Sequence, residues 1–263
     1  MRLVTWNINS VRLRLPLLAE LIREQAPDVI CLQETKVVDE LFPDQDIDTL
    51  GYPHRAIAGM KGYNGVAILS RRPFALSETR DWCGKSDCRH VFVRFESGAE
   101  LHNFYIPAGG DEPDPKANDK FAHKLEFLDA TRDWFAAKQN QDRPRILVGD
   151  LNIAPLESDV WSHKELLKVV SHTPIEVEKL TALQATLDWR DAVRYFVPEE
   201  ERLYSWWSYR SRDWSASDRG RRLDHVWVTP NLLGKLKSAA VLRHVRGWDK
   251  PSDHAPAMVD FND

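Results

Sequence analysis

Polar residues able to hold a metal ion, move a proton or donate to phosphate recur where β-forming runs end in this sequence. Asn7 lies near the end of RLVTWNI (residues 2–8), Glu34 closes DVICLQE (28–34), and Tyr105 lies near the end of LHNFYI (101–106). Asp150 ends RILVGD (145–150), and Asn152 follows it. Asp224 opens the strand in LDHVWVT (223–229), while Asp253 and His254 stand in PSDHAP, just ahead of the last run at 256–261. Strand ends on one side of an α/β fold are a usual place for a site. Acids, amides, a phenol and a histidine together suit hydrolysis of a phosphodiester, whose transition state gathers charge on oxygen. Mg²⁺ takes one or two carboxylates and keeps waters for the substrate to displace. Glu34 is the first candidate ligand and Asp253 the second. Asp150 could orient and deprotonate a water, kept ionised by nearby cations and amide donors. His254 could donate to a phosphoryl oxygen, with Asp224 fixing its tautomer. Asn7, Asn152 and Tyr105 can donate to phosphate oxygens without burying further charge.

Each residue alone has a plainer reading. Asp150-Leu151-Asn152 could cap a helix, Glu34 could be a solvated strand end, Tyr105 could be core, and Asp253-His254 could be a surface turn. Asp224 could pair with Arg221 or Arg222, and a buried structural ion-pair network would also gather such groups. Their joint occurrence carries the weight, so the elements that position them matter.

Those elements alternate as α/β. Pro16 can open a helix that places Leu17, Leu18, Leu21 and Ile22 on one face before Pro27 stops it. Residues 65–70, 91–95 and 101–106 read as strands, the middle one alternating. Residues 117–139 form the clearest helix, with Phe121, Leu125, Leu128 and Phe135 at helical spacing. Residues 156–195 look helical and irregular, and further strands are expected at 223–229, 238–245 and 256–261. The halves echo each other weakly, each with an Asn just past a strand, in WNIN and GDLNI. That pattern predicts two sheets packed face to face with helices outside. No linker divides the chain, so residues 1–263 read as one domain. The Pro/Gly/Asp loop at 107–118 is long enough to be functional.

The chain has 263 residues, 43% hydrophobic and 29% charged, as expected of a soluble globular protein that buries its core without disulfides. No apolar run approaches the roughly 20 residues needed to span a bilayer, and the N-terminus already reads as a strand, with no room for a signal peptide. A cytoplasmic monomer with no membrane contact is expected. Three cysteines argue against a disulfide framework. Cys83 and Cys88 are close enough to invite a zinc reading, but no second Cys or His pair with the usual spacing follows, so they read as ordinary thiols. Cys31 reads as a buried small hydrophobe. The formal net charge of -4 argues weakly against nucleic acid, but clustering matters more than the sum.

Taken in order, WNINS (6–10), LQETK (32–36), GDLNI (149–153), RRLDH (221–225) and SDHAP (252–256) resemble the endonuclease/exonuclease/phosphatase superfamily, and within it the exonuclease III branch of abasic-site endonucleases. The resemblance spans residues 6–256. It implies a four-layer α/β sandwich of two packed mixed sheets flanked by helices. It also implies Glu34 as principal metal ligand with Asn7 near the metal, Asp150 at the attacking water, Asn152 beside the phosphate, His254 on the phosphate oriented by Asp224, and Tyr105 as a catalytic-site phenol. The candidate metal-facing set is thus Asn7, Glu34, Asp150, Asn152, Asp253 and His254, for Mg²⁺ with Mn²⁺ as substitute. IPAGGDEPD departs from the family's YxPNG-like form, which puts one amide contact in doubt.

Within the superfamily, residues 202–222 point to the substrate. RLYSWWSYRSRDWSASDRGRR holds six Arg against two Asp, plus Trp206, Trp207, Trp214, Tyr204 and Tyr209. Arginine forks phosphate and aromatic faces stack on bases. SWWSYR resembles the family segment that packs on an abasic sugar, with Ser208 where an acidic residue is often seen. The expected mix is Trp206 partly core and Trp207 or Tyr209 facing DNA, joined by Arg210 and Arg212. Trp248 either lines the sugar pocket or anchors its loop. The resemblance implies a DNA-repair hydrolase acting on double-stranded DNA with abasic sites or blocked 3′ ends. The alternative is the same chemistry on a non-DNA phosphoester. A silent nucleic-acid-binding module would be expected to lack the acids, and all are present.

Overall fold

The computed structural model describes residues 1–139, 142–211 and 213–262. The strands along the chain are β1 (Arg2–Asn7), β2 (Val29–Gln33), β3 (His54–Ala58), β4 (Val66–Ser70), β5 (Phe74–Thr79), β6 (His90–Phe95), β7 (Glu100–Tyr105) and β8 (Arg145–Asp150). They continue as β9 (Arg190–Asp191), β10 (Trp206–Trp207), β11 (Gly220–Arg221), β12 (Asp224–Val228), β13 (Leu236–Val241) and β14 (Ala257–Phe261). The helices are α1 (Leu15–Gln25), α2 (Asp44–Thr49), α3 (Asp119–Ala136), α4 (His163–Leu166), α5 (Pro174–Ala185) and α6 (Trp214–Ser217).

Two six-stranded mixed sheets form, ordered β13-β14-β1-β2-β4-β3 and β5-β6-β7-β8-β12-β9. Each holds one parallel pair bridged by a helix: β1 with β2 through α1, and β7 with β8 through α3. This is the structural form of the echo between the halves. Alternate residues face opposite ways along a strand, so Leu3, Val29, Cys31 and Ile68 meet Val91, Leu101, Val148 and Val226 between the sheets. Val4, Trp6, Ile30 and Leu32 face outward under Leu18, Leu21 and Ile22 of α1. Phe104, Leu147 and Trp227 face outward under Phe127, Leu128 and Phe135 of α3 and Leu180 and Leu183 of α5. The layers run helix, sheet, sheet, helix, the expected sandwich.

A buried amide ladder ties the sheets together. Gln33 Nε2 donates to Asn103 Oδ1 at 2.6 Å, and Asn103 Nδ2 donates to the Leu32 and Ala67 carbonyls, each at 2.9 Å. Unpaired, these groups would be costly between two sheets. Instead they tie the end of β2 to the interior of β7 across the two sheets.

Several expectations need correction. The strand placed at 238–245 ends at Val241, and Arg243–Gly247 coils as a 3-10 turn. Leu242 N–H still reaches the Pro256 carbonyl at 2.8 Å, and the turn then buries Val245 in the α1 core, which an extended strand would not. The alternation expected over 91–95 is absent: His90, Val91, Phe92 and Val93 are all buried, because this strand is covered on both faces. Strands β3 and β5 and the short α2 were not anticipated; β5 is an edge strand whose last residues are exposed.

Gly149 shows how tightly the site's approach is built. Its φ is 136°, and a β-carbon there would lie 1.9 Å from the Phe104 carbonyl oxygen on the paired strand. Gly149→Ala should therefore destabilise the fold by about 2–4 kcal/mol, since both backbone strain and overpacking must be relieved. Urea denaturation would measure this; an unchanged midpoint would mean that β8 can shift at no cost.

Candidate active site

Sheet register assembles the first half of the site. Tyr105 pairs across from Asp150, and Asp150 from Asp224, so the ends of β7, β8 and β12 form one row. In the facing sheet, β1 ends at Asn7, opposite Gln33, the residue before Glu34. Glu34 and Asn152 both adopt left-handed backbone, with φ of 52° and 54°. Such strain in non-glycine residues persists where surrounding structure holds it.

Asn7 joins the two sheets chemically. Its Nδ2 donates to Glu34 Oε1 and to Asp150 Oδ2, both at 2.9 Å. Its Oδ1 accepts from the Asn9 backbone N–H at 3.1 Å. Asn7 therefore clamps two carboxylates with its amine end, and its oxygen faces away from them. It is wholly buried, and both donated bonds go to the carboxylates. Tyr105 donates its hydroxyl to Glu34 Oε1 at 2.9 Å. Burial and the charges of Glu34 and Asp150 push this phenol's pKa well up, which keeps it a neutral donor.

Burial alone would raise the Glu34 carboxyl, but hydrogen bonds from Asn7 and Lys36 outweigh it and hold the group below its ordinary range. Its Oε2 lies 2.7 Å from Lys36 Nζ. Asp150 behaves oppositely. It is 1% exposed, and burial, aided by the charges of Asp224 and Glu34, pushes its carboxyl up to about 7 against the pull of His254 and Asn7. Desolvation and like charge thus work against the His254 cation and the Asn7 amide that favour its ionised form.

His254 lies 2.8 Å through Nδ1 from Asp224 Oδ2 and 3.6 Å through Nε2 from Asp150 Oδ2. Burial disfavours its cation, but the charges of Asp224 and Asp150 outweigh it and raise its pKa to about 10. Asp224 is held in turn by Ser205, whose hydroxyl donates to Oδ2 at 2.6 Å while accepting the backbone N–H of Leu223 and Asp224. Asp224 makes no pair with Arg221 or Arg222. Arg222 instead binds Asp159 and Asp191.

Asn152 bonds inward: Nδ2 donates to the Ile106 carbonyl at 2.9 Å, and its backbone N–H donates to Asp150 Oδ1 at 3.0 Å. Lys124, fully buried against Glu176, donates to the Asn152 carbonyl at 2.8 Å and fixes this loop from below. Asp253 accepts from Trp206 Nε1 at 2.9 Å and from Asn9 Nδ2 at 3.3 Å.

These groups open into a cleft of about 880 Å³ lined by Glu34, Tyr105, Asp150, Asn152, Asp253 and His254, and walled by Trp161, Trp206, Arg210, Arg219 and Arg221. Arg221 lies over Trp206 at 5.2 Å and Arg219 over Trp161 at 4.5 Å. The wall thus offers cations stacked on aromatic faces.

The donors fit a hard divalent cation. Asp150, Asp224 and His254 place ligand atoms within 4.8 Å of one another, a spacing consistent with one. Within that trio His254 pairs with one oxygen of each carboxylate, and Asp224 Oδ1 is buried with no hydrogen-bond partner among the described residues. Glu34 is the better first ligand: it stays ionised, and an ammonium already sits on its Oε2. His254, whose cation Asp224 and Asp150 favour, suits a charged donor as well as a place in that cluster.

Residues 4–254 match the Endonuclease/Exonuclease/phosphatase family. Among curated relatives, exodeoxyribonuclease III of Haemophilus influenzae is 29% identical, covering 99% of this chain and 100% of its own length. Among solved structures, the 3′ phosphatase NExo from Neisseria bound to a product DNA hairpin superposes with a TM-score of 0.91 at 28% identity, covering 100% of this chain and 99% of that one. An AP endonuclease from Archaeoglobus fulgidus gives 0.92 at 28% identity, with 100% of both chains covered. The chain belongs to the exonuclease III/AP endonuclease family.

For a member of this family, the aromatic segment is arranged differently from the sequence expectation. Trp207 is 1% exposed, and its indole donates to Asp218 at 3.0 Å, packed with Tyr204 and Trp214. It is core, because β10 pairing turns Trp206 toward the cleft and Trp207 the other way. Tyr209 is 49% exposed, with its hydroxyl on the Pro251 carbonyl. Trp248 packs against the α1 core and His244, so it anchors its loop and does not line the cleft. Arg210 is exposed at the cleft. Arg212 lies outside the described residues. Sequence reasoning missed Ser205, Lys36, Lys124 and the stacked Arg219 and Arg221. The dense arginines of DRGRRLDH were the available signal for the last two.

Proposed function

We propose that this chain is a Mg²⁺-dependent DNA-repair hydrolase that cuts the phosphodiester 5′ to abasic sites, with 3′–5′ exonuclease and 3′-end trimming activity, and acts as a cytoplasmic monomer whose whole length forms one catalytic domain. The observation that carries the reading is the Asn7 amide clamping Glu34 and Asp150 beside the His254–Asp224 pair, at the floor of a cleft walled by Arg–Trp stacks. No helix among the described residues is long and apolar enough to cross a membrane.

Glu34 would hold the cation, with Asp150 and Asp253 of the same cleft as further candidate ligands; bound there, it would supply charge neutralisation for a phosphoryl oxygen and for the crowded carboxylates. Asp150, as the carboxylate, would orient a water and take its proton. His254, held cationic by Asp224, would donate to a phosphoryl oxygen where charge develops. Tyr105 would keep Glu34 oriented through its hydroxyl. Arg210, Arg219 and Arg221 would meet backbone phosphates, and the Trp206 face would cover an extruded sugar, whose missing base lowers the cost of extrusion.

A duplex oligonucleotide with one abasic site and a 5′ label tests this. A single cut at the site in Mg²⁺ and none in EDTA is expected. No cleavage in either condition would overturn the DNA reading. Glu34→Gln should raise the Mg²⁺ concentration needed for half-maximal rate about tenfold or more, given that even outer-shell changes cost 10–100-fold in metal affinity. An identical titration would remove Glu34 as a ligand.

A further inference from the structure

Outside the cleft, a thiol, an imidazole and a carboxylate converge where the β5–β6 connection meets α3. Cys83 and Gly84 are the central residues of a turn closed by Lys85 N–H on the Trp82 carbonyl at 2.9 Å. Both central residues are left-handed, with φ of 53° and 68°, the pattern of a tight hairpin turn. Such backbone is uncommon for a non-glycine residue and holds the cysteine in place. His123 and Glu126 are three apart on α3 and so share a face. The Cys83 sulfur, a ring nitrogen of His123 and a carboxylate oxygen of Glu126 all lie within 4.8 Å of one another.

His123 points to a ligand independently. It is 8% exposed, and its Nδ1 has no hydrogen-bond partner among the described residues. Its Nε2 lies 3.4 Å from Asp87 Oδ2. A buried polar nitrogen left unpaired costs free energy that a coordinated ion would recover. Cys88 takes no part, since its thiol faces the Gly59 carbonyl at 3.4 Å.

We propose that Cys83, His123 and Glu126 form a second metal site for a divalent ion of the zinc class, with Asp87 on the other ring nitrogen of His123 orienting the imidazole. A thiolate, an imidazole and a carboxylate make a mixed set that Zn²⁺ accepts tetrahedrally and Mg²⁺ does not. The charges of Glu126 and Asp87 act at the Cys83 sulfur against that of Lys85, and Arg89 is already paired with Asp87. Binding forms the sulfur–metal bond and releases the Cys83 proton to solvent. The ion would pin the turn to α3. His123 would also link the ion toward the active site, since it meets Asp87, and Arg89, bound to Asp87, stacks on the Tyr105 ring at 4.9 Å.

Co²⁺ added to the metal-stripped full chain provides the test, because only thiolate ligation gives a sulfur-to-cobalt charge-transfer band. Oxygen ligation in the cleft gives none, so this result is independent of the proposed activity. A band that one equivalent of Zn²⁺ erases is expected, lost in Cys83→Ser and kept in Cys88→Ser. Glu126→Gln, at an exposed position, should weaken Zn²⁺ competition about tenfold or more. No band in the wild type, or a band that survives Cys83→Ser, would overturn the site.

Discussion

Asp150→Asn should lower turnover on abasic duplex DNA by about 10²–10⁴-fold, the range that a positioned proton acceptor contributes, while the Kd for DNA changes only a few fold. The substitution keeps shape but removes the ability to take a proton. Asp150 is 1% exposed and stands between the Asn7 clamp and His254, so no solvent base can easily replace it. Single-turnover cleavage and equilibrium binding in Ca²⁺ or EDTA separate the two effects. Unchanged turnover would remove Asp150 from water activation; loss of binding with normal single-turnover chemistry would make it a substrate contact.

Arg222→Ala should destabilise the fold by about 3–5 kcal/mol, the usual cost of breaking a buried ion pair from one side. Arg222 is 1% exposed and forks Asp159 at 2.7 and 3.0 Å while reaching Asp191 at 2.5 Å. Removing it strands the buried Asp159 and the largely covered Asp191, of which only Asp159 keeps a second arginine, Arg194. Burial would raise both carboxyls, but Arg222 in particular reverses this and leaves them below their ordinary range. Depressed acids contribute stability above the unfolded value, about 3.9 for Asp, and lose it as pH falls through the folded pKa. The difference between wild type and variant should thus be full at neutral pH and shrink in acid below about 4. Urea denaturation across pH measures both; a difference that persists in acid would mean that packing, not charge, is lost. Arg222 lies two residues before Asp224, so the network also fixes where β12 begins and hence the His254–Asp224 pair.

The two systems differ in how visible they were. Asp150, Glu34 and His254 stood out because acids and a histidine at strand ends are conspicuous against β-forming runs. The Arg222 network did not, because Asp159 and Asp191 lie in stretches with no period to place them. Likewise Ser205 reads as an ordinary loop serine until β10 and β11 bring it beneath Asp224.

The strand-end positions of the acids, the strand–helix–strand order around α1 and α3, and the motif order were properties of the sequence, because hydrophobic period and turn residues act over short range. Tertiary structure alone decided the rest. Register aligned Tyr105, Asp150 and Asp224 in one row, and sheet-on-sheet packing turned the Asn7 amide onto both carboxylates. A two-residue strand chose Trp206 over Trp207 for the cleft, since neighbours on a strand point to opposite faces. Burial pushed the Asp150 carboxyl up, and the fold brought Cys83 to His123 across 40 residues of chain. Desolvation and contact between distant segments depend on how elements pack, and short-range pattern carries no information about that.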